Sequence, residues 1–437
     1  MISSFDIGEE SRLLVDQAAA AEVAAVGFWY GIGSRDERID EAGSTHFVEH
    51  MLFKGTSSRG AFSIAREVDR LGGSINAFTE RECMALHAVV PAEGFEAALA
   101  ILADLVTDSL FDITEFERER VVIENEITAA DDDPEEAAAD AFAERIWGSH
   151  PLARKIGGEA NQVHSLTREN VYSRYKDLFQ GIPPLITVAG GLDPEKVRRA
   201  VAGAFAGVHT KTPNKGIALR LPPPRPKPIG TVFRPAPYQH VQSFCAFQAD
   251  GVILPADYYA LEVANAAIGE SMGSRLFQEL RERRGLCYSV FSSPSLMADS
   301  SLWIIYATSS LDTTAPLMAS LGEELVKVMR DGLDDGEVAD AKAHIRGSMK
   351  IAAADTEYRM RRLARQALYG ASPSSCEEAE ARVAAVDAAA ANAAMRRFFV
   401  HAPTIYGVGM KAAKKKFSQA AVAALDSFVR IGMKVGT

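Results

Sequence analysis

Apolar runs and amphipathic stretches follow one another along the chain in an order that occurs twice. In the first half, an apolar run at 24–31 predicts a buried strand, and the next stretch predicts a helix that contains two histidines. A second helix is predicted at 61–71, because two glycines follow it, and strands are predicted at 74–78 and 83–90. The other first-half elements are three helices and one strand, predicted at 92–107, 114–130, 135–147 and 185–189.

The second half repeats this order. A strand at 241–248 leads to helices at 256–268 and 274–283, and strands follow at 286–291 and 301–306. Three helices are then predicted at 314–330, 335–353 and 379–398, and a final strand is predicted at 404–408. The repeated order predicts an α+β fold of two duplicated domains, each a mainly antiparallel sheet packed with helices.

A proline-rich segment separates the two halves. Eight prolines lie between Thr212 and Pro237, a density that excludes a helix or a central strand and favours a stiff, extended connection. The predicted organisation is a first domain at 1–211, a linker at 212–237 and a second domain at 238–437.

Composition and charge narrow the class of protein. The 437 residues are 47% hydrophobic and 24% charged, as in globular proteins, and the net charge of −11 argues against a nucleic acid partner. The four cysteines are too far apart in sequence for a cysteine-rich zinc site, and they are expected to be buried thiols. A signal-peptide pattern and a membrane-spanning run are both lacking, so the predicted location is cytoplasmic.

The most specific functional motif of the chain lies in the predicted helix with two histidines. It is the run His46-Phe47-Val48-Glu49-His50. Because residues four apart share a helix face, His46 and His50 can bind one metal ion, such as zinc. Glu49 lies at the edge of that face and can reach a water held by the metal, as a general base. A polar helix face without a metal is the alternative interpretation of the motif alone.

A catalytic zinc site needs a third protein ligand and one open position. The acidic helix predicted from Thr114 offers Glu119 and Glu126, which are seven residues apart and share a face, whereas Glu124 lies on another face. Thr114 and Glu117 form a capping-box pattern at its start. Spacing alone does not choose among these carboxylates.

Several segments together resemble the pitrilysin/insulinase family of zinc peptidases, and the length favours the mitochondrial-processing-peptidase-like branch of that family. The resemblance covers nearly the whole chain. The matching segments are GSTHFVEHMLFKGT at 43–56, LGGSINAFT at 71–79, ERVVIENEI at 119–127, SHPL at 149–152 and the glycine pair at 157–158.

The resemblance implies roles for individual residues. It implies that His46, His50 and Glu126 bind one zinc ion per chain and that Glu49 is the general base. Glu119 would be an acidic residue that holds and tunes the ligands.

The resemblance also implies where a peptide substrate binds. Asn76, Ala77 and Phe78 match the edge strand to which the family adds an extended substrate, a mode that needs little sequence preference. In the second half, LRERRGLCY at 280–288 resembles the element in which an arginine and a tyrosine bind substrate and stabilise the developing oxyanion. Arg281 and Tyr288 occupy those two positions.

The resulting hypothesis is a homodimeric zinc endopeptidase that cleaves short or unfolded peptides inside a chamber. Three alternatives stay open at this point. The chain could be one half of a heterodimer, a structural subunit without activity, or a zinc-binding peptide carrier that does not cleave.

Overall fold

A computed structural model gives the fold of the chain. The described residues are 2–8, 11–205, 230–249, 252–399 and 401–435. Over these residues, no helix combines the length and the apolar character that crossing a bilayer requires. All four cysteines lie in the described part of the chain, and they are buried and not disulfide-bonded, as expected.

Eleven strands form within the described residues. They are β1 (Ile2–Ile7), β2 (Ser11–Gln17), β3 (Val23–Tyr30), β4 (Ser74–Thr79), β5 (Met84–Pro91), β6 (Leu185–Gly190), β7 (Thr231–Pro235), β8 (Val241–Gln248), β9 (Ser289–Leu296), β10 (Ser301–Ser309) and β11 (Thr404–Gly409).

Fifteen α-helices form within the same residues. They are α1 (Ser44–Leu52), α2 (Ala61–Leu71), α3 (Phe95–Asp108), α4 (Ile113–Asp132), α5 (Pro134–Trp147), α6 (Ala160–Ser165), α7 (Arg168–Gly181), α8 (Pro194–Ala204), α9 (Tyr258–Asn265), α10 (Thr314–Asp331), α11 (Asp335–Ala352), α12 (Thr356–Leu368), α13 (Cys376–Ala385), α14 (Ala388–Phe399) and α15 (Lys414–Val435). Two π-helical segments, Ala266–Glu270 and Phe277–Arg283, extend the helical region after α9.

The chain divides into two compact units, and each unit includes a short segment from the other half of the sequence. The described residues of the first unit belong to Met1–Asp132, Ser149–Leu221 and Ile351–Cys376, and those of the second belong to Asp133–Gly148, Pro222–Lys350 and Glu377–Thr437. Helix α12 therefore belongs to the first unit and α5 to the second. A division of the sequence at one linker does not reveal this exchange.

The first unit is a six-stranded sheet in the order β1-β2-β6-β3-β5-β4, in which only β2 and β6 pair in parallel. Because side chains alternate along a strand, β3 sends Val26 and Phe28 into the core with α1 and α3. It sends Ala25 and Trp29 to the opposite face, where α12 packs. Between them, Gly27 leaves room for α12, since a Cβ there would lie 2.6 Å from the sulfur of Met360.

The second unit is a five-stranded sheet in the order β7-β11-β8-β10-β9, with one parallel pair, β7 and β11. Helices α9, α10, α14 and α15 contribute to the core on one face. Helix α5 covers the other face, where Phe142 stacks on Phe244 with ring centroids 4.7 Å apart. The prediction of two mainly antiparallel α+β sheets packed with helices is confirmed.

The predicted linker ends in regular structure. Its residues 212–229 lie outside the described part of the chain, whereas Thr231–Pro235 forms the edge strand β7. A proline is compatible with an edge strand because its missing N–H is needed only for a further partner. The predicted domain boundaries stay a prediction.

Two predicted elements of the second half need correction. The helix predicted at 379–398 is interrupted, because the side chain of Asp387 accepts a hydrogen bond from the N–H of Ala390 at 2.7 Å and so starts α14 anew. The strand predicted from Leu286 begins only at Ser289. The N–H of Leu286 instead donates to the carbonyl of Leu280 at 2.9 Å, after Gly285 in the left-handed region with φ +59°, and so closes the preceding helical segment.

Replacing Arg359 by Met should strongly destabilise the first unit. Asp16 is fully buried, and its carboxylate accepts a hydrogen bond from the Arg359 guanidinium at 2.7 Å. Removing one partner of a buried ion pair leaves the other charge buried and unpaired, which lowers the free energy of unfolding by about 3 kcal/mol or more. Urea unfolding measures this change in the free energy of unfolding.

The matched control is Arg330→Met, since Arg330 is an exposed arginine paired with its neighbour Asp331. The control should leave the unfolding curve unchanged. Equal effects of the two substitutions would contradict the importance of the buried pair.

Candidate metal centre

Helix α1 presents the two histidines on its outer face because its other face enters the core. Phe47, Val48 and Met51 are buried in the core of the first unit. His46 and His50 are largely but not completely buried, and their ring centroids are 4.8 Å apart. The i,i+4 spacing on a helix therefore places both imidazoles at one spot, as the sequence predicted.

Helix α4 brings one carboxylate to this spot. The Glu126 carboxylate oxygen lies 3.3 Å from His50 Nε2 and 3.9 Å from His46 Nε2. Among the described residues, His46, His50 and Glu126 form a group of potential ligands whose atoms all lie within 4.8 Å of one another. Glu124 lies on a different face, where it pairs with the exposed His164 at 3.1 Å.

The start of α4 differs from the capping box that the sequence suggested. The helix begins at Ile113, and the side chain of Asp112 accepts hydrogen bonds from the N–H groups of Thr114 and Glu115, at 2.8 and 3.2 Å. Asp112 is therefore the capping residue.

These donor atoms suit zinc. Two imidazole nitrogens and a carboxylate oxygen are a common donor set of catalytic zinc sites. With metal–ligand distances of about 2.0–2.2 Å, tetrahedral geometry places ligand atoms about 3.3 Å apart. The observed separations of 3.3 and 3.9 Å need only small side-chain adjustments to reach that value.

Glu119 lies behind His50. Its carboxylate is 3.1 Å from His50 Nδ1, and its second oxygen accepts from the ammonium of Lys54 at 2.6 Å. A carboxylate on Nδ1 fixes the orientation of the ring and leaves Nε2 directed at Glu126. Lys54 was not predicted from the sequence, because its position after α1 carries no spacing signal.

Glu49 is held by the edge strand of the sheet. The Thr79 hydroxyl, at the end of β4, donates to the Glu49 carboxylate at 2.7 Å. Burial raises the pKa of the Glu49 carboxyl, while the Thr79 hydrogen bond and the charge of His50 oppose that rise. A carboxylate with a raised pKa is a stronger base at neutral pH. Thr79 was also not among the site residues predicted from the sequence.

His46 is the most enclosed member of the group. Burial, together with the neighbouring His50, lowers the pKa of His46 to about 4, so its imidazole is neutral at pH 7. Its Nδ1 is buried without a hydrogen-bond partner among the described residues. Gly157 lies directly against this nitrogen, since a Cβ there would be 3.3 Å from it. A neutral imidazole is the form that binds a metal.

The strand β4 lies at one edge of the first sheet, paired on one side with β5. Asn76 is exposed, Ala77 is buried and Phe78 is half-buried against Trp29. The predicted substrate-binding residues thus lie on an edge strand, whose outer backbone groups are the kind that an extended peptide pairs with.

Comparison with known proteins places the chain in a family. Residues 12–160 match the model of insulinase, peptidase family M16, and residues 165–345 match the model of the peptidase M16 inactive domain. An uncharacterized zinc protease of Mycobacterium tuberculosis is 35% identical over 369 residues, covering 82% of each chain. The chain belongs to the M16 family. An uncharacterized zinc protease of Bacillus subtilis is 30% identical, covering 91% of this chain and 96% of the relative.

Solved structures share the fold of the chain. The peptidase M16 inactive domain from Pseudomonas fluorescens superposes with a TM-score of 0.84 at 19% identity, covering 94% of this chain and 98% of the other. A protease from Helicobacter pylori gives the same TM-score at 17% identity and covers 94% and 99% of the two chains. These matches support the two-sheet architecture of this M16 chain.

Arg281 and Tyr288 belong to the second unit of the M16 chain. Arg281 lies in the π-helical segment with its guanidinium 4.7 Å from the centre of the Phe277 ring. Tyr288 is 60% exposed, and its ring lies 4.8 Å from that of His240. Both side chains are accessible within their unit, and their role toward a substrate stays a prediction.

The metal-free M16 protein should lose stability in acid partly through His46. Between pH 6.5 and 4 the unfolded chain binds a proton at His46 that the folded chain does not, so folding stability falls as the pH falls. From pH 7 to pH 5 this contributes a loss of about 2 kcal/mol. Urea unfolding of the wild type and of His46→Asn at both pH values isolates the contribution. Equal losses in the two proteins would contradict it.

Proposed function

We propose that this M16 chain is a zinc-dependent endopeptidase that hydrolyses short or unfolded peptides. The observation that carries the proposal is the convergence of His46, His50 and Glu126 from two helices, with all candidate donor atoms within 4.8 Å. The names of the relatives, which are called zinc proteases, support the metal and the reaction class.

Zinc bound there would polarise a peptide carbonyl and lower the pKa of an attacking water to about 7. With His46, His50 and Glu126 as its protein ligands, the ion would keep a position available for this chemistry. His46 and His50 would bind as neutral imidazoles, and Glu126 would bring a negative charge that offsets part of the charge of the ion. This set corresponds to one zinc per chain.

Glu49 is proposed as the general base. It follows His46 by three residues and precedes His50 directly, so it borders the ligands without being one of them. Its carboxylate takes the proton of the attacking water and passes it to the leaving amine. The hydrogen bond from Thr79 fixes one oxygen of Glu49.

Glu119 and Lys54 would hold His50 during the reaction. Lys54 pairs with Glu119 beside the His50 ring, and a carboxylate hydrogen-bonded to an imidazole makes that imidazole a better metal ligand. The pair acts through His50, so it positions the metal and does not contact the substrate.

The substrate is proposed to add to the free edge of β4 beside Asn76, Ala77 and Phe78. Because β4 also ends at Thr79, a peptide paired along this strand runs past Glu49. Backbone pairing gives affinity for any extended peptide and requires that the substrate be unfolded.

Arg281 and Tyr288, in the second unit, are proposed to bind the substrate and the developing oxyanion. The proposed assembly is a homodimer of the mitochondrial-processing-peptidase-like branch, acting in the cytoplasm. The support is that one chain holds both the metal ligands and the Arg281/Tyr288 element. A heterodimer with a related subunit is the competing assembly.

Replacing Glu49 by Gln should abolish cleavage and keep the metal. Gln cannot take a proton from water, and loss of a general base lowers kcat by about 100-fold or more. Because Glu49 is not a ligand in this scheme, the variant should retain one zinc per chain by elemental analysis. Cleavage of an unstructured peptide by the pure protein, mapped by mass spectrometry, measures the loss.

The matched control is Glu124→Gln, on the face of α4 directed away from the ligands. It should cleave like the wild type, and a chelator should stop both proteins. The proposal fails if Glu49→Gln cleaves normally. It fails equally if the wild type carries no stoichiometric zinc.

A further inference from the structure

The start of α1 is held by a carboxylate from outside the helix. Glu37 is buried, and its carboxylate accepts hydrogen bonds from the N–H of Thr45 at 2.7 Å and from the N–H of Gly43 at 2.9 Å. The Ser44 hydroxyl donates a longer bond, at 3.4 Å. One side chain therefore contacts three consecutive residues at the N-terminus of the helix that carries both histidines.

This arrangement replaces the usual helix cap. The residue before α1 is Gly43, which has φ +88° and no side chain to accept a bond from the first turn. Free N–H groups and the positive end of the helix dipole both favour a negative group at this point. Glu37 supplies the acceptor for two of these N–H groups from a buried position, where burial raises the pKa of its carboxyl.

Two arginines fix Glu37 and the helix start to the rest of the unit. Arg174 of α7 is buried, and it donates to the Thr45 hydroxyl at 3.0 Å and to the carbonyl of Gly33 at 3.2 Å. Arg154 donates to the backbone carbonyl of Glu37 at 2.8 Å. The network leaves the first turn of α1 little freedom to rotate or slide, because each partner is itself bonded to another element.

The buried cap from Glu37 has a larger desolvation cost than an exposed helix cap in the same unit. Helix α8 is capped by Asp193, whose own exposed side chain accepts from the N–H of Lys196 at 2.9 Å. A buried carboxylate costs far more desolvation than an exposed one. Stability alone is served by the simpler cap, whereas a metal site also requires that its ligands be held within a fraction of an ångström.

We infer that Glu37 is a positioning residue for the metal: it fixes the rotation of α1 so that His46 and His50 face Glu126 before the ion binds. His46 follows Thr45 directly, so a shift of the Thr45 backbone moves the first ligand with it. This inference rests on the proposed zinc site and adds a residue that the sequence motif does not include.

The test compares Glu37→Gln with Asp193→Asn in the full chain. Each substitution replaces a capping carboxylate by its isosteric amide in the same unit, but only Glu37 contacts the ligand helix. The zinc dissociation constant is measured by competition with a chromophoric chelator, at a temperature where circular dichroism shows every variant folded. Thermal unfolding of the metal-free proteins is measured in parallel.

Glu37→Gln should weaken zinc binding about 10-fold or more, the size of effect seen when a group that orients a ligand is lost. Asp193→Asn should lower the unfolding temperature of the metal-free protein and change the zinc dissociation constant less than twofold. If Glu37→Gln does not fold, Thr45→Val takes its place; it removes the bond to Arg174 and should weaken zinc binding about threefold or more.

A folded Glu37→Gln variant with wild-type zinc affinity would overturn the inference. Equal changes of affinity in Glu37→Gln and Asp193→Asn would also overturn it, since they would show a general effect of stability. Failure of the proposed function is distinguishable, because the wild type itself would then bind no zinc.

Discussion

The stacked rings of Phe47 and Phe116 set the distance between the two helices that supply the candidate ligands. Their centroids are 4.4 Å apart with nearly parallel planes, and the guanidinium of Arg120 lies 4.9 Å from the centre of the Phe116 ring. Both rings are completely buried, so the contact cannot loosen without opening the core. Because Phe47 is adjacent to His46, this contact connects the core directly to the metal-binding group.

Around this contact, three further contacts hold His50, Glu49 and the start of the ligand helix. Glu119 of α4 orients His50, Thr79 of β4 orients Glu49, and Glu37 holds the first turn of α1. The site therefore depends on the whole first unit and not on the short motif alone. A helix with the same five residues but without these supports would bind a metal less tightly, because its side chains would have to be ordered at the moment of binding.

The sequence allowed prediction of the elements whose signals are local. Strand β3 and helix α2 were predicted to within a residue, since a continuous apolar run and a terminal glycine depend on neighbouring residues only. Helix α12 was missed because four arginines interrupt its apolar positions. Its few buried side chains, such as Met360, show their function only against the sheet of the first unit.

In the candidate site, too, only the residues with a local signal could be predicted from the sequence. The pair His46 and His50 could be predicted because i,i+4 spacing is a local property, and the choice of Glu126 among many carboxylates came from the family resemblance. Lys54, Thr79 and Glu37 could not be predicted, because their contacts depend on how distant elements pack. Such partners become visible only when the tertiary structure is known.

The central claim is that His46, His50 and Glu126 bind one zinc ion and leave one position open. X-ray absorption spectroscopy of the zinc-loaded full chain tests it most directly. The account predicts a four-coordinate zinc with two imidazole nitrogens and oxygen ligands at about 2.0–2.2 Å, and loss of this spectrum in Glu126→Gln. A sulfur ligand, a zinc surrounded by water alone, or an unchanged spectrum in that variant would contradict it.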